Sequence, residues 1–314
     1  MSQPNTKSFP KVRKVNVSED EAGQRIDNFL ARYLKGVPKS HIYRILRRGE
    51  VRVNSGRIRA QYKVRAGDTV RIPPVRVSES KPGQVPGIDL EQHILFENPR
   101  LLVINKPPGI AVHGGSGLSY GIIEALRAGR ATAPYLELGH RLDRETSGCL
   151  VIAKRRSFLR AFHEQLQQGQ VKKLYLALVD GQWQGSKRTV DVPLRKNQLR
   201  GGERMVSVDP EGKRAISIFR PVSVYQDSSL VEVELKTGRT HQIRVHGQHI
   251  GHPLAGDQKY GDEQFNRSMR AVGLRRMLLH AHMIEFVDPY DDQVITVSSP
   301  LDENARAVLG HLES

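Results

Sequence analysis

The chain contains 314 residues, of which 38% are hydrophobic, 49 are Lys or Arg and 33 are Asp or Glu. This length is sufficient for a packed core and predicts two domains. The formal net charge of +16 favours a polyanionic partner, most often a nucleic acid, although a solvated basic surface would give the same balance.

The single cysteine, Cys149, excludes an intrachain disulfide and fits a reducing compartment. The first residues lack the apolar core of a secretory signal, and no run approaches the roughly 20 apolar residues of a membrane span. We therefore expect a cytoplasmic protein that does not associate with a membrane.

Two helices and two short strands are predicted near the N-terminus. Residues 25–34 carry apolar side chains at helical spacing, which predicts an amphipathic helix. Ser40 can cap a second helix that stops at Gly49. Short strands are predicted at residues 51–53 and 70–72, with a turn after the first.

This region is strongly basic. Residues 20–75 contain 13 Lys or Arg against 5 Asp or Glu, a net charge of +8 and half of the surplus of the whole chain. Aromatic residues for base stacking are scarce, which favours contact with backbone phosphates. The candidate RNA-binding residues are Lys39, Arg44, Arg47, Arg48 and Arg52.

The same region resembles a known RNA-binding module. Residues 23–27, Ser40, residues 49–54 and residues 66–70 together resemble the S4 domain, which occurs in a ribosomal protein and in several RNA-modifying enzymes. The resemblance implies that this unit binds RNA.

The chain is predicted to divide into four parts. Residues 1–19 form a flexible basic tail, residues 20–83 the S4-like domain, residues 84–90 a linker and residues 91–310 a catalytic domain. Strands in the last part are predicted at residues 94–96, 101–104, 149–153, 174–179, 215–219 and 230–235, and helices at residues 121–128 and 156–168. Without regular βαβ alternation, this pattern predicts an α+β fold with a mostly antiparallel sheet.

One loop concentrates cations around a single anion. Residues 139–148 read GHRLDRETSG and place Asp143 between Arg141 and Arg144, directly before a buried strand. Nearby positive charge favours the ionised carboxylate, which can act as a nucleophile. The loop residues alone favour an ordinary salt-bridged aspartate.

A second charged cluster follows at residues 238–246, GRTHQIRVH. Thr240 can cap a helix that ends at Gly251. His241 and Arg244 then share a polar face, from which Arg244 could point at an anion. An ordinary solvent-facing arginine fits the same pattern.

Histidine pairs suggest a metal site, but their spacing does not support one. His241 and His246 diverge on a helix, and no HExxH or Cys/His pattern accompanies them. His280 and His282 would share a strand face without a third ligand. We expect no metal.

Two further kinds of site are also disfavoured. No glycine fingerprint for a nucleotide is present, so no cofactor is expected. Ser147, His140 and Asp143 could suggest a hydrolase triad, but they crowd one loop and lack the GxSxG elbow.

Four segments together resemble the RluA-type RNA pseudouridine synthases. They are HRLDR-x-TSG at residues 140–148, NKP at residues 105–107, LYLALV at residues 174–179 and GRTHQIRVH at residues 238–246. Two of these signatures are highly specific, and all occur in the family's order. The resemblance covers about residues 90–305 and implies isomerisation of uridine in RNA without a cofactor.

The resemblance also implies residue roles. Asp143 acts as nucleophile or charge stabiliser at ribose C1′, Arg244 pairs with it, and Tyr175 stacks on the target base. Arg141 fills the gap left by the flipped uridine. Substrate binding and base flipping are assigned to Arg141, Arg144 and His140.

The expected substrate is large-subunit (23S) ribosomal RNA or its assembly intermediates, with several target sites near the peptidyl-transferase region. We expect a monomer. Two alternatives stay open: a non-catalytic S4-type RNA-binding or ribosome assembly protein, and a pseudouridine synthase that acts on tRNA.

Overall fold

The computed structural model describes residues 12–34, 37, 39–75, 89–114, 120–130, 132–133, 135–198 and 204–313. The chain divides into two compact units, Met1–Gln84 and Val85–Ser314. Most of the predicted tail (residues 1–11) and of the predicted linker (residues 84–88) lie outside the described residues. Within the described ranges, no helix has the length and apolar character needed to cross a membrane.

The N-terminal unit combines a small sheet with two helices among its described residues. In chain order these elements are β1 (Arg13–Asn16), a 3-10 turn (Glu19–Glu21), α1 (Ile26–Tyr33), α2 (Lys39–Arg47), β2 (Arg52–Val53), β3 (Gly56–Arg57) and β4 (Thr69–Ile72). The strands form an antiparallel sheet in the order β1-β4-β2-β3. Phe29, Leu30, Ile42 and Ile45 from the helices pack in the core of this unit.

The prediction of a flexible tail over residues 1–19 is wrong for residues 13–16, which form β1. It pairs antiparallel with β4, with Val15 opposite Val70. Val17 is buried, and its N–H donates to the carbonyl oxygen of Asp68 at 2.8 Å. Val15 and Val17 alternate with polar residues, as in a strand with one buried face. The neighbouring lysine and arginines obscured this pattern in the sequence.

The described residues of the C-terminal unit contain twelve strands and five helices. In chain order they are a 3-10 turn (Glu91–His93), β5 (Ile94–Glu97), β6 (Leu101–Lys106), α3 (Ile122–Gly129), β7 (Glu137–Leu138), β8 (Ser147–Ala153), α4 (Arg156–Gln168), β9 (Lys172–Asp180), β10 (Arg188–Asp191), β11 (Leu194–Gln198), β12 (Arg204–Val208), β13 (Ile216–Val224), β14 (Ser228–Leu235), α5 (Gln242–His249), α6 (Glu263–Ala271), β15 (Leu279–Val287), β16 (Val294–Ser298) and α7 (Glu303–Glu313).

One large sheet organises this unit, in the order β10-β13-β14-β9-β15-β8-β6-β5. Strand β7 also pairs with β8, β16 pairs with β15, and β11 and β12 form a separate ribbon. Neighbouring strands are antiparallel except β8 and β15, which run parallel. The predicted α+β fold with a mostly antiparallel sheet is therefore confirmed.

Strand β8 lies in the middle of the core, and every residue of it is buried. Leu150 and Ile152 pack in the core on one face of the sheet, and Cys149 and Val151 pack in the core on the other. Gly148 has a φ of +105°, and a Cβ at this position would collide with the backbone of Ala281 on β15. Glycine therefore permits the close approach of these two strands, directly after the Asp143 loop.

Candidate active site

Asp143 lies in the loop that joins β7 to β8. The loop is tied to β8, because the Gly139 N–H donates to the Val151 carbonyl at 2.8 Å and the Val151 N–H donates to His140 Nε2 at 3.2 Å. Leu142 is buried in the core, whereas the Asp143 side chain stays 26% exposed. The apolar neighbour therefore anchors the loop and leaves the carboxylate at its surface.

Lys106, at the end of β6, holds this loop from the protein interior. Its side chain is fully buried, and Nζ donates to the carbonyl oxygens of Pro107 at 2.7 Å, Ile110 at 2.9 Å and Arg144 at 3.0 Å. Burial lowers the pKa of Lys106 to about 7. The residue belongs to the NKP segment of the sequence resemblance, and the structure gives it a positioning role.

Arg244 on α5 is the cation that meets Asp143. Its Nη1 lies 3.4 Å from Asp143 Oδ2. Its main partner is Asp257, which accepts from Nε at 2.6 Å and from Nη2 at 2.7 Å. Burial opposes ionisation of Asp257, but the Arg244 guanidinium holds the pKa of that carboxyl below its usual range. Arg244 is thus fixed by a second carboxylate that sequence reasoning missed.

Asp257 is itself held by the backbone. Its Oδ1 accepts the N–H groups of Lys259 at 2.9 Å and Tyr260 at 3.1 Å. A carboxylate with backbone donors on one oxygen and a two-point contact to arginine has little freedom to rotate. It therefore fixes the direction in which Arg244 points toward Asp143.

The arginines of the Asp143 loop point elsewhere. Arg144 Nε donates to the Gly109 carbonyl at 2.8 Å, and Arg141 is exposed. No contact between either side chain and the Asp143 carboxylate occurs among the described residues. The cation beside Asp143 is Arg244, which comes from the distant segment at residues 238–246.

The predicted cap of α5 is wrong. The residue before the helix is His241, with a left-handed φ of +53°, and not Thr240. Gln242, which is buried, fixes the helix start: its Oε1 accepts from Thr237 Oγ1 at 2.7 Å and its Nε2 donates to Ser217 Oγ at 2.9 Å. The N-cap residue makes no side-chain hydrogen bond to the helix, and Gln242 instead ties its first turn to the preceding loop and to β13.

His241 and Tyr260 complete the surroundings of Asp143, and the sequence assigned no role to the tyrosine. His241 Nε2 lies 3.9 Å from Asp143 Oδ2, and its Nδ1 lies 2.8 Å from the Tyr260 hydroxyl oxygen. That oxygen also accepts the Val206 N–H at 2.9 Å, and the tyrosine ring lies 4.9 Å from the Arg244 guanidinium carbon. Burial lowers the pKa of His241 and so favours the neutral ring, although the Asp143 carboxylate acts in the opposite direction.

Asp143, His241 and Arg244 line a cavity of about 660 Å³. Tyr175 on β9 is buried at its wall, opposite Val233 in the strand register. Burial raises the pKa of its phenol, and the nearby Asp143 carboxylate adds to this effect. Apolar side chains such as Leu142, Leu235 and Ile243 complete that part of the wall. A planar, uncharged base would fit such a surface.

The hydrolase arrangement that the sequence disfavoured does not assemble. His140 accepts a backbone N–H, and burial lowers its pKa to about 3. Ser147 Oγ is instead 2.8 Å from His280 Nδ1, and His280 Nε2 is 3.0 Å from the Ser299 carbonyl oxygen. Within the described ranges, no three His, Cys, Asp or Glu side chains come together as metal ligands.

A basic face lies on the N-terminal unit, formed by Arg44 and Arg47 of α2, Arg48 directly after it and Arg52 of β2. All four side chains are exposed, because Ile42, Ile45 and Leu46 turn the other side of α2 into the core. The side chain of Lys39, also predicted to bind RNA, lies outside the described residues.

Comparison with known proteins identifies the family to which this chain belongs. Residues 100–249 match the family model "RNA pseudouridylate synthase", and residues 24–70 match the S4 domain. The "Ribosomal large subunit pseudouridine synthase C" of Pasteurella multocida is 54% identical over 306 residues, 96% of this chain and 94% of that protein. The protein of the same name from Escherichia coli K12 is 52% identical over 97% of this chain and 98% of its own length.

The chain belongs to the RNA pseudouridylate synthase family. Solved structures agree: "Human RNA Pseudouridylate Synthase Domain Containing 4" has a TM-score of 0.60 at 26% identity and covers 71% of this chain and 94% of its own. A second human protein, "RNA Pseudouridylate Synthase Domain Containing 1", has a TM-score of 0.55 at 27% identity, over 66% of this chain and 82% of its own.

These findings confirm three predictions from the sequence. The family is that of the pseudouridine synthases, the N-terminal unit contains an S4 domain, and the protein is an enzyme. The roles of the individual pseudouridine synthase residues, including Asp143, Tyr175 and Arg244, stay predictions that the geometry supports.

Proposed function

We propose that this pseudouridine synthase converts specific uridines of large-subunit (23S) ribosomal RNA to pseudouridine, with Asp143 acting at ribose C1′. One observation carries the site assignment: Asp143 lies 3.4 Å from the anchored guanidinium of Arg244, in a cavity that also contains Tyr175. The RNA is inferred from the names of relatives that match this chain over nearly its whole length.

The proposed reaction exchanges one bond of the nucleotide for another. The C1′–N1 bond breaks and its electron pair leaves with the uracil, so positive charge develops on the ribose. The Asp143 carboxylate stabilises that charge or bonds to C1′. The uracil then turns, its C5 forms the new bond to C1′, and C5 loses a proton while N1 gains one. The product is an isomer of the substrate.

Arg244 serves this reaction by fixing Asp143. A carboxylate that must meet a developing charge works best when it is already oriented. The two contacts from Asp257 keep the guanidinium in place, so that Asp143 does not have to be ordered by the substrate itself.

Tyr175 serves as the stacking surface for the uracil. Because burial raises the pKa of its phenol, the side chain is neutral at pH 7 and a poor acceptor for the C5 proton. The ring instead offers an apolar face beside Asp143, against which a detached base can turn without leaving the cavity.

Arg141 and the basic face serve RNA binding. Arg141 is exposed on the Asp143 loop and lines the cavity, and its side chain can fill the gap that the flipped uridine leaves in the RNA stack. Arg144 and His140 hold that loop in place through hydrogen bonds to the backbone of Gly109 and Val151. The exposed arginines of the basic face contact phosphates. We further propose that the protein acts as a monomer in the cytoplasm, on several uridines near the peptidyl-transferase region.

Tritium release tests the activity. Unmodified 23S rRNA labelled at uridine C5 should lose tritium with the wild-type protein and keep it with Asp143→Ala. Release by the variant at the wild-type rate would contradict the site assignment. Release from tRNA but not from 23S rRNA would contradict the substrate, and mapping pseudouridines in cells that lack the protein would identify the positions.

A further inference from the structure

Lys173 lies two residues before Tyr175 on β9, and both side chains line the cavity. Alternate residues of a strand point to the same side, about 6.7 Å apart along the chain. Lys172, the first residue of β9, points the other way and is exposed. The strand therefore presents an ammonium group and the proposed stacking ring on one surface.

The ammonium group of Lys173 has no partner among the described residues. Its side chain is half-buried, and burial lowers its pKa without a compensating carboxylate nearby. Lys106 is a useful contrast, since that buried ammonium donates to three carbonyl oxygens. A half-buried cation without a partner is costly for the folded protein.

Other cations that line the cavity are satisfied or solvated. Arg244 is held by Asp257 and Asp143, and exposed Lys236 pairs with Glu234. Arg239 is exposed and donates to a backbone carbonyl. Lys173 differs from all of these, because it is partly desolvated and unpaired.

The position of Lys173 indicates what it meets. Its Nζ lies 3.8 Å from the place where a Cβ of Gly238 would stand, in the loop before α5. The Asp143 carboxylate does not shift the pKa of Lys173. The positive charge of Lys173, however, lowers the pKa of His140. The ammonium is thus directed at space in the cavity beside the proposed reaction centre.

RNA brings negative charge to such a space only through its phosphates, since uracil and ribose are neutral. The phosphates that flank a nucleotide are the anions nearest to its own C1′. We infer that Lys173 binds the backbone phosphate next to the uridine held at Asp143, an inference that rests on the proposed function. Lys173 then fixes the RNA backbone on the side of the cavity away from the reacting bond.

Salt-dependent binding tests this role, with Lys173→Met beside Lys172→Met as a matched control. Binding to unmodified 23S rRNA transcript is measured between 50 and 300 mM salt, roughly the range in which counterion release is resolved. Lys173→Met should weaken binding roughly fivefold and reduce the slope of log K against log salt by about 0.7, the value for one phosphate on a single strand. Lys172→Met and Lys173→Arg should leave both close to wild type.

A neutral phosphate identifies the contact. A synthetic RNA centred on a uridine that the wild-type protein modifies is made with methylphosphonates at the flanking positions. Wild-type affinity should fall by the factor seen for Lys173→Met, and the variant should show no further loss. The inference would be overturned if the losses of affinity from the methylphosphonates and from Lys173→Met multiplied when the two were combined. A lower kcat for Lys173→Met with unchanged affinity and slope would also overturn it and would indicate contact with the uracil.

The two failures can be told apart. If wild-type protein forms no pseudouridine in 23S rRNA, the proposed function fails, while the binding slopes of the Lys173 and Lys172 variants still report on the phosphate contact. Thermal unfolding of each variant excludes loss of the fold as the reason for weaker binding.

Discussion

Arg44 and Arg47 on α2 and Arg48 directly after it are exposed in the N-terminal unit, whereas Arg244 of the C-terminal unit is buried between two carboxylates. An exposed guanidinium in water interacts weakly with any one partner and adapts to many. A buried one with a two-point contact is fixed in direction. The first arrangement suits binding along a phosphate backbone, and the second suits orienting a single reactive group.

The comparison predicts different responses to mutation. Removing charge from the basic face should change affinity in small, additive steps that depend on salt. Removing a group from the Asp143 cluster should change the rate of the chemical step, with effects that do not add, because its members act as a unit.

The largest effect is expected for Asp143→Asn, which keeps the size of the side chain and removes its charge. Without a carboxylate at C1′, the rate of pseudouridine formation at saturating RNA should fall by at least about 10⁴-fold. RNA affinity should stay near wild type. The surface variant Asp191→Asn removes a carboxylate paired with exposed Arg214 and should be active. A modest rate loss for Asp143→Asn would place the reacting carboxylate elsewhere.

The next effect is expected for Asp257→Asn. Loss of this charge leaves Arg244 buried with one carboxylate partner and able to turn toward or away from Asp143. We expect kcat to fall about 10²- to 10³-fold, as for other preorganised charges, and the unfolding free energy to fall by about 3–5 kcal/mol. Single-turnover kinetics and urea unfolding measure the two effects. A variant that is less stable but has wild-type kcat would make Asp257 purely structural.

A smaller effect, on affinity alone, is expected for the triple variant Arg44→Ala, Arg47→Ala, Arg48→Ala. The slope of log K against log salt should fall by about 2, and kcat at saturating RNA should not change. The matched control removes three exposed arginines from α6 and α7 in the other unit: Arg267, Arg270 and Arg306. Equal slopes for the two triple variants would show that overall charge, and not the basic face, binds the RNA.

Local patterns predicted much of the fold. The helix predicted at residues 156–168 is α4, with Gly169 in the left-handed conformation that ends it. The strand after the Asp143 loop is β8, because an uninterrupted apolar run needs burial on both faces. The basic face followed from helix periodicity, since the apolar positions of α2 fix which side stays in solvent.

Elements whose sequences mix polar and apolar residues were missed or predicted only in part. Strand β15 lies in the centre of the sheet, but the sequence indicated it only as a strand face shared by His280 and His282, which interrupt its apolar run. The burial of His280 depends on Ser147, which is distant in sequence. Strands β11 and β12 form a short ribbon in which Leu194 and Val206 are the buried residues among those described, too few to mark a buried face in the sequence.

The site was predicted to the extent that its residues belong to the sequence motifs. Asp143, Arg244 and Tyr175 were found this way, and the structure brings them to one cavity. Asp257 and Tyr260 lie in an irregular segment after α5, with no periodicity to indicate that they face Arg244. Their roles depend on the path of the chain between elements, which local patterns do not determine.

The smallest effect concerns pH and Lys106. Because burial lowers its folded-state pKa to about 7 from an ordinary value of 10.5, the unfolded chain binds more protons between these values, and the unfolding free energy rises with pH across this window. Relative to Lys106→Met, the wild-type protein should therefore gain stability from pH 7 to 9, by at most about 1.4 kcal/mol per pH unit. Urea unfolding followed by the fluorescence of Trp183, which is buried in the same unit, measures the difference.

Lys172→Met removes an exposed lysine, and an equal pH trend in that control would assign the effect to surface charge. If the difference in unfolding free energy between wild type and Lys106→Met does not change with pH, the three carbonyl oxygens keep the ammonium charged in the folded protein. The Asp143 loop is then held by a permanent cation.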